Sequence, residues 1–245
     1  MTIAIPARLQ SQRLPRKVLA DIAGETMIRR VHDVASRSLA DRVLVLTDSE
    51  EIADEVRSFG GEVMMTSPGC PSGTARLAEV APLLDSDFLV NFQGDAPLAD
   101  PQVLDRMAEE GERSGAPVTM PVYALERDED VHDPNVVKVV RAHDGRVLYC
   151  SRSPVPYVRD EGPWVERTRI WSHPGLYGFR REFLLALSGL PPSPLDEAEK
   201  LEQLQWIEAG VHVHSFEVAP QGPSVDTQQD LARVREEFAL RARVV

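Results

Sequence analysis

From Thr2 to Gly115 the chain repeats one beat, a short apolar run followed by a stretch of helical periodicity, and that repetition leaves few folds open. "TIAIPA", "RVLVLT", "EVMMT" and "DFLVNFQ" read as strands. Between them, "ETMIRRVHDVASRS" brings Met27, Ile28, Val31, Val34 and Ala35 to one helical face, and "GTARLAEVAPLL" does the same with Leu77, Val80, Ala81 and Leu84. "DSEEIADEVRSFGG" opens on capping residues and closes on glycine, and "DPQVLDRMAEEGERSG" is a further helix. Strands that alternate with helices in this way form a parallel sheet covered on both faces.

Beyond Ala116 the pattern changes. "PVTMPVYAL", "NVVKVVRA" and "RVLYCSR" are strand-like, and the last two flank "HDG", a hairpin signal. The proline-rich stretch from Ser153 to Trp164 reads as loop, and "HPGLYGFR" as a strand. "LDEAEKLEQLQWIEAG" predicts one helix, "VHVHSFEVA" a strand and "TQQDLARVREEFALRAR" a closing helix. The expectation is an α/β chain with a mostly parallel, Rossmann-like sheet, helices on both faces and a smaller antiparallel lobe. It would form a single domain over residues 1–245, with the lobe at about residues 116–220.

A chain of 245 residues buries a core without staples. Its formal net charge of −12 argues against nucleic acid or an anionic membrane as a main partner, while leaving room for a small anionic ligand where the local charge is positive. Cys70 and Cys150 match no metal-binding or redox spacing and read as reduced thiols. Pro6 and Arg8 interrupt any leader-like opening, and no apolar run reaches the roughly 18 residues of a membrane span. These features lead us to expect a cytoplasmic protein.

In parallel sheets ligands sit beyond the carboxyl ends of the strands. "IPARLQSQRLPRK" places Arg8, Arg13, Arg16 and Lys17 just after the first strand, where arginine forks and a lysine ammonium suit a polyphosphate; on charge alone a solvated basic loop fits equally. The segment carries neither a P-loop nor a glycine-rich dinucleotide fingerprint. "NFQGDAPL" ends a strand in Gln93, Gly94 and Asp95, a position from which a carboxylate can hold Mg²⁺ together with phosphate oxygens, although Gly94 and Pro97 also suit a plain turn. Asp226 in "PSVDTQQDL" precedes a helix and is either its N-cap or a second metal carboxylate. "PSGTAR" offers small donors before a helix, for a base, a phosphate or helix capping by Ser72 or Thr74. Arg152, His173, Tyr177, Glu202 and Gln203 form a later polar set, in which Glu202 falls on a helix face that should be apolar and needs a partner.

In order along the chain, "IPARLQSQRLPRK", "SGTAR", "NFQGDAPL", "PNVVKVV", "YCSRSP", "HPGLYGF", "SPLDEAEKLEQL" and "GPSVDTQQDLARV" resemble the 3-deoxy-manno-octulosonate cytidylyltransferases, the CMP-Kdo synthetases, over nearly the whole length. "LEQL" and "HPGLYGF" set this family apart from its sialate-activating relatives. The resemblance implies a nucleotidyltransferase that moves CMP from CTP to the anomeric hydroxyl of a keto-acid sugar and releases pyrophosphate. Arg8, Arg13 and Lys17 would hold the CTP phosphates, with Arg8, Lys17, Asp95 and Asp226 catalytic. Ser72, Gly73, Thr74 and Arg76 would surround the cytidine, and Asp95 and Asp226 would carry Mg²⁺. Gln93, Arg152, His173, Tyr177, Glu202 and Gln203 would line the sugar side. It also implies a homodimer and a product used in cell-surface lipopolysaccharide. "RIWSHPGLYGFRREFLLAL" is a candidate interface, with core burial as the plainer alternative.

The chain departs from the family pattern at Arg16, where glycine is usual, and at Val18, Ala96 and Pro174. A related eight- or nine-carbon keto-acid sugar is therefore an alternative substrate. A glycosyltransferase would show a D-x-D motif where Gln93-Gly94-Asp95 has one acid, and a non-catalytic nucleotide binder would not be expected to keep Lys17, Asp95 and Asp226 together.

Overall fold

The computed structural model describes residues 1–9 and 14–242. The chain divides into two compact units, Met1–Arg106 with Gln221–Val245, and Met107–Pro220.

The first unit holds strands β1 (Thr2–Ala7), β2 (Asp21–Ile22) and β3 (Glu25–Thr26), helix α1 (Met27–Ala35), β4 (Arg42–Thr47), α2 (Glu50–Ser58), β5 (Glu62–Met65), α3 (Gly73–Val80), β6 (Phe88–Asn91) and the start of α4 (Pro101–Ser114). β1 lies between β4 and β6, and β5 pairs with β4, every pair parallel. The alternation in the sequence thus produces the parallel sheet it predicts. The face of α1 that is buried carries the five apolar residues its periodicity selects. Thr26, Ser49 and Ser72 cap α1, α2 and α3, each hydroxyl accepting a backbone N–H of the first turn. β6 stops at Asn91, two residues before the expected end, and this frees Gln93, Gly94 and Asp95 to turn away from the sheet.

The second unit contains β7 (Val118–Ala124), α5 (Asp128–His132), β8 (Lys138–Arg141), β9 (Val147–Ser151), α6 (Trp164–Arg167), β10 (Trp171–Ser172), β11 (Tyr177–Arg180), α7 (Arg181–Ala186), α8 (Pro194–Glu199), α9 (Glu202–Glu208) and β12 (Val213–Glu217). β7 pairs antiparallel with β10 and β11 and parallel with β12. β8 pairs antiparallel with β9 across the expected hairpin, where Gly145 turns at φ +89. Ile170, Leu176, Tyr177, Phe179, Phe183 and Leu184 of the candidate interface segment are buried within the chain itself. The chain then returns to the first unit and ends in α10 (Gln228–Ala242).

One expectation is corrected. "LDEAEKLEQLQWIEAG" is not one helix: α8 ends at Glu199, Lys200 takes the left-handed conformation at φ 54 and ψ 51, and α9 begins at Glu202. The cause lies in the backbone carbonyls. Those of Glu199 and Lys200 accept from the Arg152 guanidinium, at 2.7 and 3.3 Å, so neither carbonyl is committed to continuing the helix.

Candidate active site

A cavity of about 340 Å³ opens at the carboxyl ends of β1 and β6, within the size range of small-molecule sites. Three stretches of chain bring it together. β1 runs out into Arg8, and the chain returns through Arg16 to a short turn at Lys17–Leu19. β6 runs out into Gln93, Gly94 and Asp95. α3 presents Ser72, Gly73 and Arg76 from its first turn. Two glycines permit the close packing: a Cβ on Gly94 would stand 3.0 Å from the Pro6 carbonyl oxygen, and one on Gly73 would stand 2.9 Å from Pro6 Cγ.

The charged centre is the Lys17 ammonium. Its Nζ donates to Asp95 Oδ2 at 2.7 Å and to Asp226 Oδ1 at 3.1 Å. The Lys17 side chain is only 12% exposed, against 24% for Asp95 and 39% for Asp226, so the two acids remain the more open partners. The two carboxylates, 131 positions apart in sequence, are joined through the backbone as well, because Val225 N–H donates to the Asp95 carbonyl at 2.9 Å. The neighbours of Asp226 show which residues cap the helix that follows. Asp230 N–H donates to Thr227 Oγ1 at 3.2 Å, and the Thr227 N–H and hydroxyl both donate back to Asp230 Oδ2. Thr227 and Asp230 therefore cap α10 reciprocally, and the Asp226 carboxylate faces Lys17.

Among the described residues no cluster of three or more His, Cys, Asp or Glu side chains is arranged around a metal position. Two carboxylates already suffice for Mg²⁺ when phosphate oxygens complete the shell. Asp95 and Asp226 fit that need: both are hard oxygen donors on the cavity wall, and together they already hold a cationic nitrogen between them.

The other nucleotide-side expectations divide. Arg8 lines the cavity, and Arg13 lies outside the described residues. Arg16 turns away to pair with Glu51 on α2, in a left-handed backbone conformation at φ 57 that favours the glycine usual there. Ser72 both lines the cavity and caps α3 through Ala75 N–H. Arg76 is buried, donates to Thr66 Oγ1 and faces Asp48 at 3.5 Å. Thr74 is buried, accepts from Asn91 Nδ2 at 3.1 Å and is not on the cavity wall. Gln93, expected on the sugar side, lines this same cavity. Sequence reasoning passed over Cys70, which also lines it; burial pushes the thiol up to about 11 beside Glu79, so it is no nucleophile at neutral pH.

In the second unit, His173, Tyr177 and Gln203 come together. Gly175 N–H donates to His173 Nδ1 at 3.1 Å, and His173 Nε2 stands 3.2 Å from the Gln203 side-chain amide nitrogen. The Tyr177 hydroxyl is hydrogen-bonded to the same amide at 3.2 Å. Burial pulls the His173 imidazole down to about 4, so the ring is neutral at pH 7. Tyr177 is raised well above the usual phenol range, by burial first and then by the nearby Glu202 carboxylate. Trp206 stacks edge-on against Tyr177 at 5.1 Å and holds the ring in place. Arg152 stands apart from this trio: its guanidinium donates to the carbonyls of Glu199, Pro134 and Lys200.

Residues 2–214 match the family model described as cytidylyltransferase. The 3-deoxy-manno-octulosonate cytidylyltransferase of Myxococcus xanthus is 46% identical over 241 residues, covering 98% of this chain and 96% of that protein. The enzyme of the same name from Chlorobium luteolum is 44% identical over 241 residues, covering 95% of each chain. The solved structure of CMP:2-keto-3-deoxy-manno-octonic acid synthetase complexed with CTP superposes with a TM-score of 0.93 at 38% identity, covering 98% of each chain. A parallel sheet with two acids and a lysine at its carboxyl end, and near-full-length identity at this level, lead to one assignment: the chain belongs to the 3-deoxy-manno-octulosonate cytidylyltransferase family.

Proposed function

We propose that the chain activates 3-deoxy-D-manno-octulosonate with CTP, yielding the CMP-sugar and pyrophosphate. One observation carries the assignment of chemistry to residues: Lys17 Nζ lies between Asp95 and Asp226 on the wall of the cavity that Arg8 and Arg76 also line. In the reaction the anomeric hydroxyl oxygen bonds to the α-phosphorus of CTP, the bond from that phosphorus to the bridging oxygen breaks, the hydroxyl proton passes to solvent, and pyrophosphate departs. Both substrates are anions, so cations must offset their repulsion and the charge that builds on the leaving group.

Arg8 and Lys17, with Arg13, hold the phosphates. Ser72, Gly73 and Arg76 face the cytidine, and the Asp48 carboxylate keeps the Arg76 fork in place. Asp95 and Asp226 would hold Mg²⁺, which when bound supplies electrostatic stabilisation of phosphate charge and acidifies the sugar hydroxyl. When phosphates arrive, Lys17 has donors to turn toward them, because its present partners are side-chain carboxylates rather than scaffold. Gln93, Arg152, His173, Tyr177, Glu202 and Gln203 serve the sugar side. His173 acts there as a neutral hydrogen-bonding group, since burial keeps its ring uncharged. A homodimer working in the cytoplasm completes the reading. Among the described residues no helix is long and apolar enough to cross a membrane.

The test is pyrophosphate release by Asp95→Ala with CTP, Mg²⁺ and the sugar. Release is expected to fall on the order of a thousandfold. Unchanged release would remove the metal role, and binding of UTP or ATP as tight as that of CTP would remove the cytidine assignment.

A further inference from the structure

Three motifs that carry no nucleotide or metal role, "PNVVKVV", "YCSRSP" and "SPLDEAEKL", meet in one polar knot of the second unit. Lys138 lies on β8 and is fully buried. Its ammonium donates to the carbonyls of Asp133 at 2.9 Å, Val136 at 2.6 Å and Arg152 at 2.7 Å. A lysine has three donors, so all are taken. Glu199, at the end of α8, accepts from Arg152 N–H at 2.6 Å and from the Ser151 hydroxyl at 2.7 Å. The Arg152 side chain completes the ring, reaching the carbonyls of Glu199, Pro134 and Lys200.

This knot has a geometric consequence. In an unbroken helix Gln203 would stand one turn above Glu199 on the same face. Instead Glu199 is drawn to the end of β9, its carbonyl and that of Lys200 are held outward by Arg152, and the chain turns left-handed at Lys200. α9 then starts afresh at Glu202, and Gln203 reaches Tyr177 and His173.

We infer that Glu199 and Lys138 are positioning residues for the sugar: by holding the break at Lys200 they set where Glu202 and Gln203 stand. The polar atoms of both are taken up by other protein groups, so their role is positioning rather than catalysis. The inference rests on reading His173, Tyr177, Glu202 and Gln203 as the sugar side.

Glu199→Gln is the main test, because it keeps the size and one acceptor oxygen at a half-buried position. Its KM for the sugar is expected to rise about tenfold or more, the scale of one lost charge-assisted hydrogen bond, with its KM for CTP within about twofold of wild type. Lys138→Met should show the same split, with a clear loss of thermal stability. An unchanged sugar KM in Glu199→Gln overturns the inference, and so does a parallel rise in both KM values, which is what a merely structural residue would give. Wild-type protein that forms no CMP-sugar overturns the functional reading, and this inference with it.

Discussion

Lys17 in the first unit and Lys138 in the second are both withdrawn from water, and they use the same three protons in opposite ways. Lys17 faces two carboxylates on the wall of an open cavity, and those carboxylates come from separate loops. Lys138 is fully buried and faces three backbone carbonyls. A carboxylate can exchange one cation for another, and an ammonium released from it can take a phosphate oxygen. A carbonyl bound to a buried ammonium has no such alternative, and losing the donor leaves it unsatisfied. In the proposed function the first lysine is part of the chemistry, and the second is part of the frame that holds it.

The sharpest way to break that contrast is with two acids of one segment. Asp226→Asn is expected to cut product formation on the order of a thousandfold, because the Asp226 carboxylate faces Lys17 and the cavity. Asp230→Asn, four residues on, is expected to cost about 1 kcal/mol of stability and to lower turnover far less, because Asp230 caps α10 and accepts the Asp226 backbone N–H without lining the cavity. Equal effects from the two would erase the distinction between site and cap.

Next in size, denaturant unfolding should separate the two lysines. Lys138→Met strands three carbonyls and should lose about 3 kcal/mol or more. Lys17→Met should lose much less while removing most activity. Comparable losses would mean that Lys17 is as structural as Lys138.

The second unit also keeps His173 neutral, and this gives stability a pH dependence. The unfolded chain takes up a proton on this ring below about 6.5, whereas the folded chain holds it off until about 4. Stability contributed by the neutral ring is therefore fully present above pH 6.5 and falls as the pH drops toward 4, by roughly 3 kcal/mol in all. His173→Asn should flatten that part of a stability profile. A profile unchanged by the substitution would mean that the ring is not withheld from protonation.

The smallest effect is expected at Arg16, whose φ of 57 is one that L side chains adopt at a cost. Arg16→Gly should stabilise by up to about 1 kcal/mol, because the pairing with Glu51 that it gives up is solvent-exposed. A loss of stability would show that the ion pair outweighs the backbone cost.

The first unit was the more legible in the sequence, and the reason is periodicity. A parallel sheet with covering helices writes apolar runs of one period beside runs of another, and β1, α1, β4, α2 and α3 follow that writing closely. The second unit depends on contacts that no period encodes. Residues 195–210 are locally good helix, and Arg152, some fifty positions earlier, supplies the donors that break it. Lys138 did leave a trace, a charge in the middle of "VVKVV", but its partners are carbonyls, which no residue type announces. Which residue caps α10 was likewise undecidable from residue types, since the reciprocal bonds of Thr227 and Asp230 exist only once the turn is formed. The cavity residues lie where strand ends carry sites, and Thr74 lies off that wall because the first turn of α3 turns it inward to Asn91.

The central claim is that this chain joins CMP from CTP to 3-deoxy-D-manno-octulosonate. The most direct measurement is pyrophosphate release by the wild-type protein with CTP, Mg²⁺ and that sugar, with other eight- and nine-carbon keto-acid sugars in parallel. The account predicts release that depends on CTP and is fastest with 3-deoxy-D-manno-octulosonate. Release only with a different sugar, or none with any sugar, would contradict it.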